Sequence, residues 1–292
     1  MIKRDRIFVI ATILPALAVI GFIILYPLAR SLSYSLTNYN LIHRTNSFVG
    51  LQNFTLLFTD PTFYRALENT LLICIAPVVG AFLIGFAQAL VLDQAIVARN
   101  FFRGLALVPW VIPQIVVAFL FNFMYNPSVG VVNVILKDLG LIHRYVPWLA
   151  HPGSAPVAVI LAYIWNETPF FMLMLLAGLQ SIPGDIVEAA VVDGASGLGV
   201  FRYITVPGLR RIIAISTILM VIWNFNNFTI IWPMTQGGPI NATLTFVVYV
   251  YRNAFQNFNI GYAATVGVVW LVLLLILTFF YMRAVSGDEE PA

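Results

Sequence analysis

Six long apolar runs, separated by short mixed segments, dominate this chain. They cover residues 7–29, 67–92, 104–125, 155–178, 212–232 and 261–282. A helix needs about 20 apolar residues to cross the hydrocarbon layer of a bilayer, within a range of roughly 17 to 25. Each run meets that length. Membrane-spanning strands are short and alternate apolar with polar residues, whereas these runs are nearly continuous. The pattern therefore predicts an all-α polytopic membrane protein with six transmembrane helices, the third broken by Pro109 and Pro113. The first run follows Lys3, Arg4 and Arg6, as a signal peptide would. It is long for a signal segment, and Tyr34-Ser35-Leu36 offers no small-residue cleavage pattern, so an uncleaved first span is expected.

Between the runs, residues 51–64 mix apolar and polar positions as a short surface element does. Residues 131–141 read as an amphipathic interfacial helix bounded by Pro127 and Pro147. Trp148 and Trp232 stand near span ends, where aromatic anchors are common.

Composition agrees with the pattern. The chain is 61% hydrophobic and only 9% charged over 292 residues, whereas about a quarter of a soluble domain is charged. So much apolar side chain needs lipid as its solvent. The length suits one membrane domain, residues 1–292, without an appended soluble catalytic domain. A net charge of +3, scattered along the chain, excludes a nucleic-acid surface. Cys74, the lone cysteine, lies in an apolar run and reads as core filler; it supports no intrachain disulfide and no cysteine metal site.

Lys and Arg counts orient the spans. With a cytoplasmic N-terminus the inner segments hold nine, Lys3, Arg4, Arg6, Arg99, Arg103, Arg202, Arg210, Arg211 and Arg283, against six outside. An even number of spans puts both termini on the same side, here the cytoplasm, together with the loop between the fourth and fifth runs.

That loop, residues 179–211, carries the most patterned polar segment of the chain. Pro183 is suited to open a helix because its missing N–H costs nothing in a first turn. Asp185 and Glu188 favour the N-terminal end of such a helix, and Ile186, Val187, Ala189 and Ala190 give it an apolar side. Gly194 permits a sharp turn. A second short helix is expected after it, with Leu198 and Phe201 on one face, closed by Pro207 before Arg210 and Arg211. The plain alternative is an interfacial loop that merely joins two spans.

The segment Glu188-Ala189-Ala190, with Asp193-Gly194-Ala195 and then Phe201, Ile204 and Pro207, resembles the EAA motif of permease subunits in binding-protein-dependent ABC importers. Further segments resemble the sugar-importing branch: Asn69-Thr70, Leu176 to Gln180 with Ile182-Pro183, and Thr235-Gln236-Gly237-Gly238-Pro239 with Thr243, Tyr251 and Ala254-Phe255. The likeness covers roughly residues 60–283, and its Gly-Gly-Pro segment is similar to the MalF-like side of such importers. Val206 departs from the Leu more usual before the proline, but both are apolar.

The resemblance implies a type I ABC-importer permease fold. It implies that Glu188, Ala189, Ala190, Asp193, Gly194, Ala195, Leu198 and Phe201 couple to an ATPase. It also implies a second homologous permease, two cytoplasmic ABC ATPase subunits that bind ATP and Mg, an extracytoplasmic solute-binding protein and a sugar substrate, in a bacterial or archaeal plasma membrane. The chain contains no G-x-x-x-x-G-K-[ST] phosphate loop, so ATP hydrolysis is expected on the partner subunits, with no catalytic residue, metal site or cofactor here.

Polar residues inside the runs are the remaining candidates. An ionisable group in a span is costly and faces protein or water. Glu167 stands mid-run, followed by Pro169, whose ring frees a backbone carbonyl; it reads either as a sugar-hydroxyl acceptor or gate, or as a partner for a neighbouring subunit. Asn224, Asn227 and Phe228 share one face if the fifth run is a continuous helix; they read as lining a sugar pathway or as interhelical hydrogen-bonding groups. Asn122 and Asn126 read as gate or helix-end residues. The alternatives to a sugar are a polyol or a glycerol phosphate ester carried by the same machinery. In a different class stands an ion-coupled secondary transporter using Glu167, which has no reason to carry the Glu188 loop.

Overall fold

The computed structural model describes residues 12–286, with side chains described as far as Arg283. The start of the first predicted span, with Lys3, Arg4 and Arg6, lies outside the described residues. The described residues contain five helices long and apolar enough to cross a membrane, and one bent helix pair. The chain divides into two compact units, Met1–Phe63 with Tyr249–Leu273, and Tyr64–Val248 with Leu274–Ala292.

In the first unit, α1 (Thr12–Ser35) is exposed along its whole apolar length. Its C-terminal end is held by polar contacts. Asn53, on the short helix α2 (Gln52–Thr59), donates to the Ser35 and Thr37 carbonyls at 3.0 and 2.8 Å. Asp60 accepts from the Tyr249 and Tyr262 hydroxyls at 2.5 and 3.0 Å and from the Thr62 N–H at 2.8 Å. Partial burial pushes the Asp60 carboxyl up, but these bonds outweigh it and hold the group below its ordinary value.

The second unit contains most of α3 (Pro61–Asp93), then α4 (Arg99–Val111), α5 (Gln114–Met124), α6 (Val131–Asp138), α7 (Ala155–Leu179), α8 (Gly184–Val192), α9 (Gly197–Phe225) and α10 (Ile231–Thr235). Beyond these lie α11 (Phe246–Tyr251) and α12 (Ile260–Ser286). The third apolar run is the bent pair, α4 and α5 meeting at 91°. Pro113 pushes Ile112 out of helical backbone, to ψ 128°, whereas Pro109 is absorbed inside α4.

Two expectations need correction. Pro207 does not close a short helix: α9 runs through it from Gly197 to Phe225. A proline ring clashes with the carbonyl four residues earlier, and a wider π-helical turn at Phe201–Thr205 relieves this. α1 has the same arrangement, with a π-helical turn at Gly21–Leu25 ahead of Pro27. The fifth run, in turn, ends as helix at Phe225, and Asn226 caps it with non-helical backbone. Residues 226–230 break the run because the side chains of Asn226 and Asn227 bond to nearby backbone groups instead.

α7 is the axis of the second unit. It is 67% buried over its most apolar window, and it packs on α4 and α9. Phe170, Phe171, Met172, Leu175 and Leu176 meet Val78, Ala81 and Ala89 of α3 and Leu209 and Met220 of α9. Small residues allow the close approach. A Cβ at Gly85 of α3 would stand 2.8 Å from the Thr168 carbonyl oxygen and 2.9 Å from the Met172 nitrogen, both backbone atoms of α7.

Gly85→Ala should therefore destabilise the purified protein by about 1–3 kcal/mol, the usual cost of overpacking. Gly104→Ala, whose Cβ meets nothing within 4 Å, should leave stability the same or slightly improved. Thermal unfolding of the matched pair in one detergent checks this. A wild-type midpoint for Gly85→Ala would contradict the tight α3–α7 contact.

Candidate functional site

The loop between α7 and α9 is built from backbone capping. α8 begins after Pro183, which stands at the N-cap in extended backbone rather than inside the first turn, and Asp185 lies in that first turn. Glu188, Ala189 and Ala190 sit on α8, and Asp193 caps its C-terminus. Gly194 has φ +85°; its N–H donates to the Val191 carbonyl at 3.0 Å, and the Ala195 N–H donates to the Ala190 carbonyl at 2.9 Å. This pair of bonds is a Schellman motif, which needs a left-handed residue where only glycine escapes the Cβ penalty. Ser196 then accepts from the Gly199 N–H at 3.2 Å and opens α9.

The turn leaves apolar side chains in the open. Ile186, Val191, Val192 and Leu198 are all more than half exposed. Phe201 differs: it leaves that group and packs against Phe86 of α3 at 5.6 Å between ring centres. So Leu198 and Phe201 do not form one exposed face. The result is a short helix with unpartnered apolar residues and acidic Asp185, Glu188 and Asp193, joined through a rigid turn to the base of α9.

At the other end of α9 lies a buried polar cluster. Glu167 of α7 is 3% exposed and Asn224 of α9 is 8% exposed. The Asn224 amide donates to Glu167 Oε2 at 3.1 Å and to the Cys74 carbonyl at 3.5 Å. Glu167 Oε1 and Asn224 Oδ1 are buried and make no hydrogen bond among the described residues. Next to Glu167, the Asn166 amide donates to the Pro109 carbonyl at 2.7 Å, which ties the bent α4 to α7. One turn earlier on α7, the Tyr163 hydroxyl donates to the Asn227 carbonyl at 3.5 Å.

Asn227 and Phe228 stand beyond the end of α9, so the one-face geometry expected of Asn224, Asn227 and Phe228 does not arise. The Asn227 amide donates to Gln114 Oε1 at 3.1 Å, while its oxygen accepts from the Ile230 N–H at 3.3 Å. Phe228 stacks on Trp232 at 5.2 Å. Asn122 donates to the Pro233 carbonyl at 2.8 Å, and Asn126 caps the turn after α5 by accepting from Ser128 and Val129. Gln114 joins the cluster from the break of the bent pair, and its position directly after Pro113 is the one sequence signal for it. A separate cavity of about 1320 Å³ between α3, α4, α5 and α7 has a mainly apolar lining that includes Thr168 and Pro169 but neither Glu167 nor Asn224.

The pairing predicts unequal costs for two nearby asparagines. Asn224→Ala leaves the buried Glu167 carboxyl without its amide donor and should destabilise the protein by about 1–3 kcal/mol. Asn226→Ala, at an exposed amide bonded to the Ile222 carbonyl, should cost less than about 0.5 kcal/mol. Denaturation midpoints in detergent compare them, and equal midpoints would rule out the buried pair.

Comparison with known proteins gives consistent relatives. Residues 81–287 match the family described as binding-protein-dependent transport system inner membrane component. The sulfoquinovosyl glycerol transport system permease protein SmoG of Agrobacterium fabrum is 33% identical, covering 98% of this chain and 92% of its own. The trehalose/maltose transport system permease protein MalF of Thermococcus litoralis is 34% identical, covering 93% of this chain and 91% of its own. A bacterial alginate ABC transporter, crystallised in complex with an alginate pentasaccharide-bound periplasmic protein, contains a chain 26% identical with TM-score 0.82, covering 98% of this chain and 95% of that one.

Proposed function

The chain belongs to the binding-protein-dependent transport system inner membrane components, and from that membership we propose that it is the permease subunit through which a carbohydrate enters the cell. The observation that carries the reading is continuity: one unbroken helix, α9, joins the Glu188 loop at its base to the buried Glu167–Asn224 pair at its far end. At about 1.5 Å per residue, its 29 residues reach about 43 Å. A displacement of the loop is thereby passed along a stiff element to the polar cluster.

In this reading the permease core is residues 60–283, and residues 179–211 form the coupling loop. Glu188, Ala189, Ala190, Asp193, Gly194, Ala195 and Leu198 engage a cleft of a cytoplasmic ATPase subunit, and Phe201 seats the segment on α3. ATP and Mg bind on two such ATPase subunits, and a second, homologous permease completes the pathway. An extracytoplasmic binding protein delivers the solute, and both termini lie in the cytoplasm of a bacterial or archaeal cell. Glu167, Asn224, Asn227 and Phe228 line or gate the pathway. Amide and carboxylate groups suit sugar hydroxyls, and an aromatic ring suits the apolar face of a pyranose. The carbohydrate-linked names of the two relatives and of the alginate transporter support a sugar over a polyol or glycerol phosphate ester.

The test is uptake and ATP hydrolysis in vesicles containing the whole complex. Asn227→Ala should lower uptake efficiency about five- to hundred-fold, the equivalent of about 1–3 kcal/mol for one hydrogen bond to a sugar, with assembly and basal hydrolysis intact. The Cβ that Gly194→Val adds meets nothing within 4 Å, yet the change places a β-branched residue at φ +85°. It should reduce substrate-stimulated hydrolysis, and Glu188→Lys should do the same by charge reversal at the docking face. Wild-type hydrolysis and uptake in both loop variants would sink the coupling role, and wild-type uptake in Asn227→Ala would remove that residue from the pathway.

A further inference from the structure

The cavity of about 1320 Å³ lies beside the 91° bend, walled by α3, α4, α5 and α7, with Val132 and Leu136 of α6 at one end. It exceeds the roughly 300–1,000 Å³ of ordinary small-molecule sites. Along α7 it runs from Val157 to Pro169, a rise of about 18 Å. That is more than half of the roughly 30 Å hydrocarbon layer. The dimensions suit an extended chain rather than a compact solute.

Its lining is mainly apolar. Two of its polar groups are already spent, the Thr168 hydroxyl on the Ile164 carbonyl and the Trp148 indole N–H on Asn133 Oδ1. Water stays in a cavity only where it finds two to four polar partners. Sugar hydroxyls taken out of water need partners as well. Hydrocarbon needs none, and a bilayer supplies it at this depth.

One end of the cavity is different. Gln88 of α3 lines it, and Gln88 Oε1 is buried without a partner among the described residues. One turn further along α3, the Leu92 carbonyl accepts from Arg103 Nη2 of α4 at 3.0 Å. That bond caps the end of α3, yet it leaves Arg103 Nε buried and unpaired among the described residues. Phe102 and Ala106, which flank Arg103 on α4, also line the cavity. An unmatched donor and an unmatched acceptor thus stand at one end of an apolar slot, where leaving them unpaired is costly. Neither Arg99 nor Arg103 pairs with a carboxylate among the described residues; Arg99 reaches only the Asp93 backbone carbonyl, at 3.5 Å. Phe86, six residues before Leu92 or about 9 Å along α3, packs on Phe201 at the base of α9. This end therefore lies toward the face that carries the Glu188 loop. In the orientation proposed above that is the cytoplasmic leaflet, where anionic lipids concentrate.

We propose that the cavity holds one anionic glycerophospholipid, with its acyl chains in the apolar slot, its phosphate accepting from Arg103 Nε and a headgroup hydroxyl donating to Gln88 Oε1. The site requires only that these helices lie in a bilayer, so it stands apart from the importer reading. A free phosphate ester carries the same phosphate chemistry, and the test separates the two. The full-length protein, delipidated in detergent, is titrated with dioleoyl phosphatidylglycerol, dioleoyl phosphatidylcholine and water-soluble glycerol phosphate. Native mass spectrometry counts bound lipid, and thermal unfolding is followed in parallel. One phosphatidylglycerol per chain should bind at least about ten-fold more tightly than phosphatidylcholine and raise the unfolding midpoint. Arg103→Gln should weaken its binding about ten-fold through loss of a charge-assisted bond. Gln88→Leu should weaken it about five-fold. Arg65→Gln, at the other end of α3 in an exposed pair with Glu68, should stay within about two-fold of wild type. Ala87→Phe, at an exposed position that lines the cavity, should block both lipids while leaving the lipid-free midpoint unchanged or raised. That variant decides the matter even if Arg103→Gln, which also loses the α3 cap, fails to fold. Equal affinity for the two lipids, wild-type binding in Arg103→Gln or Ala87→Phe, or displacement of phosphatidylglycerol by an equal concentration of glycerol phosphate overturns the assignment.

Discussion

Every polar group carried into an apolar layer must find its partner inside the protein, because lipid supplies none. In the second unit, three consecutive buried residues of α7 carry this requirement together. The Asn166 amide reaches the Pro109 carbonyl, the Glu167 carboxylate takes the Asn224 amide, and the Thr168 hydroxyl bonds to its own helix at the Ile164 carbonyl. These bonds set the arrangement of the second unit. The bent α4 stays against α7 because Asn166 holds it at Pro109, a proline that α4 absorbs without breaking. The end of α9 stays against α7 because Glu167 holds Asn224, with Tyr163 reaching Asn227 one turn away. Glycine contacts bring α3 close enough to complete the core.

The same economy of contacts explains how a loop outside the apolar layer bears on groups inside it. The Schellman turn at Gly194 fixes the angle between α8 and α9 through backbone bonds, which are stiffer than side-chain packing. The π-helical turn at Phe201–Thr205 then lets α9 continue through Pro207 instead of stopping. Had Pro207 ended the helix, loop and polar cluster would sit on separate elements. As built, they are the two ends of one helix, which is seated on α7 through Leu209 and Met220 as well as through the buried pair at Glu167.

Much of this was legible in the sequence, and the misses have physical causes. The apolar runs were readable because a membrane helix has to be almost continuously apolar, and the break at Pro113 was readable because the residue before a proline avoids helical backbone. Pro207 misled because a π-helical turn accommodates a proline without any compositional mark. The end of α9 misled because Asn226 and Asn227 sit within an otherwise apolar run. The Asn226 amide turns back to the Ile222 carbonyl, and the Asn227 side chain bonds to the Ile230 N–H and to Gln114, a partner distant in sequence. Gly194 and the EAA-like segment were legible because glycine at a helix end has a specific backbone purpose.

The central claim is that α9 crosses the apolar layer in one pass, with the Glu188 loop at one face and the asparagine-rich end at the other. Single cysteines at its two ends test this directly, Ser196→Cys and Asn226→Cys on a Cys74→Ala background, both at exposed positions. A membrane-impermeant thiol reagent is applied to sealed right-side-out vesicles and to inverted ones. The account predicts that Asn226→Cys labels only in right-side-out vesicles and Ser196→Cys only in inverted ones. Labelling of both from the same face would contradict it.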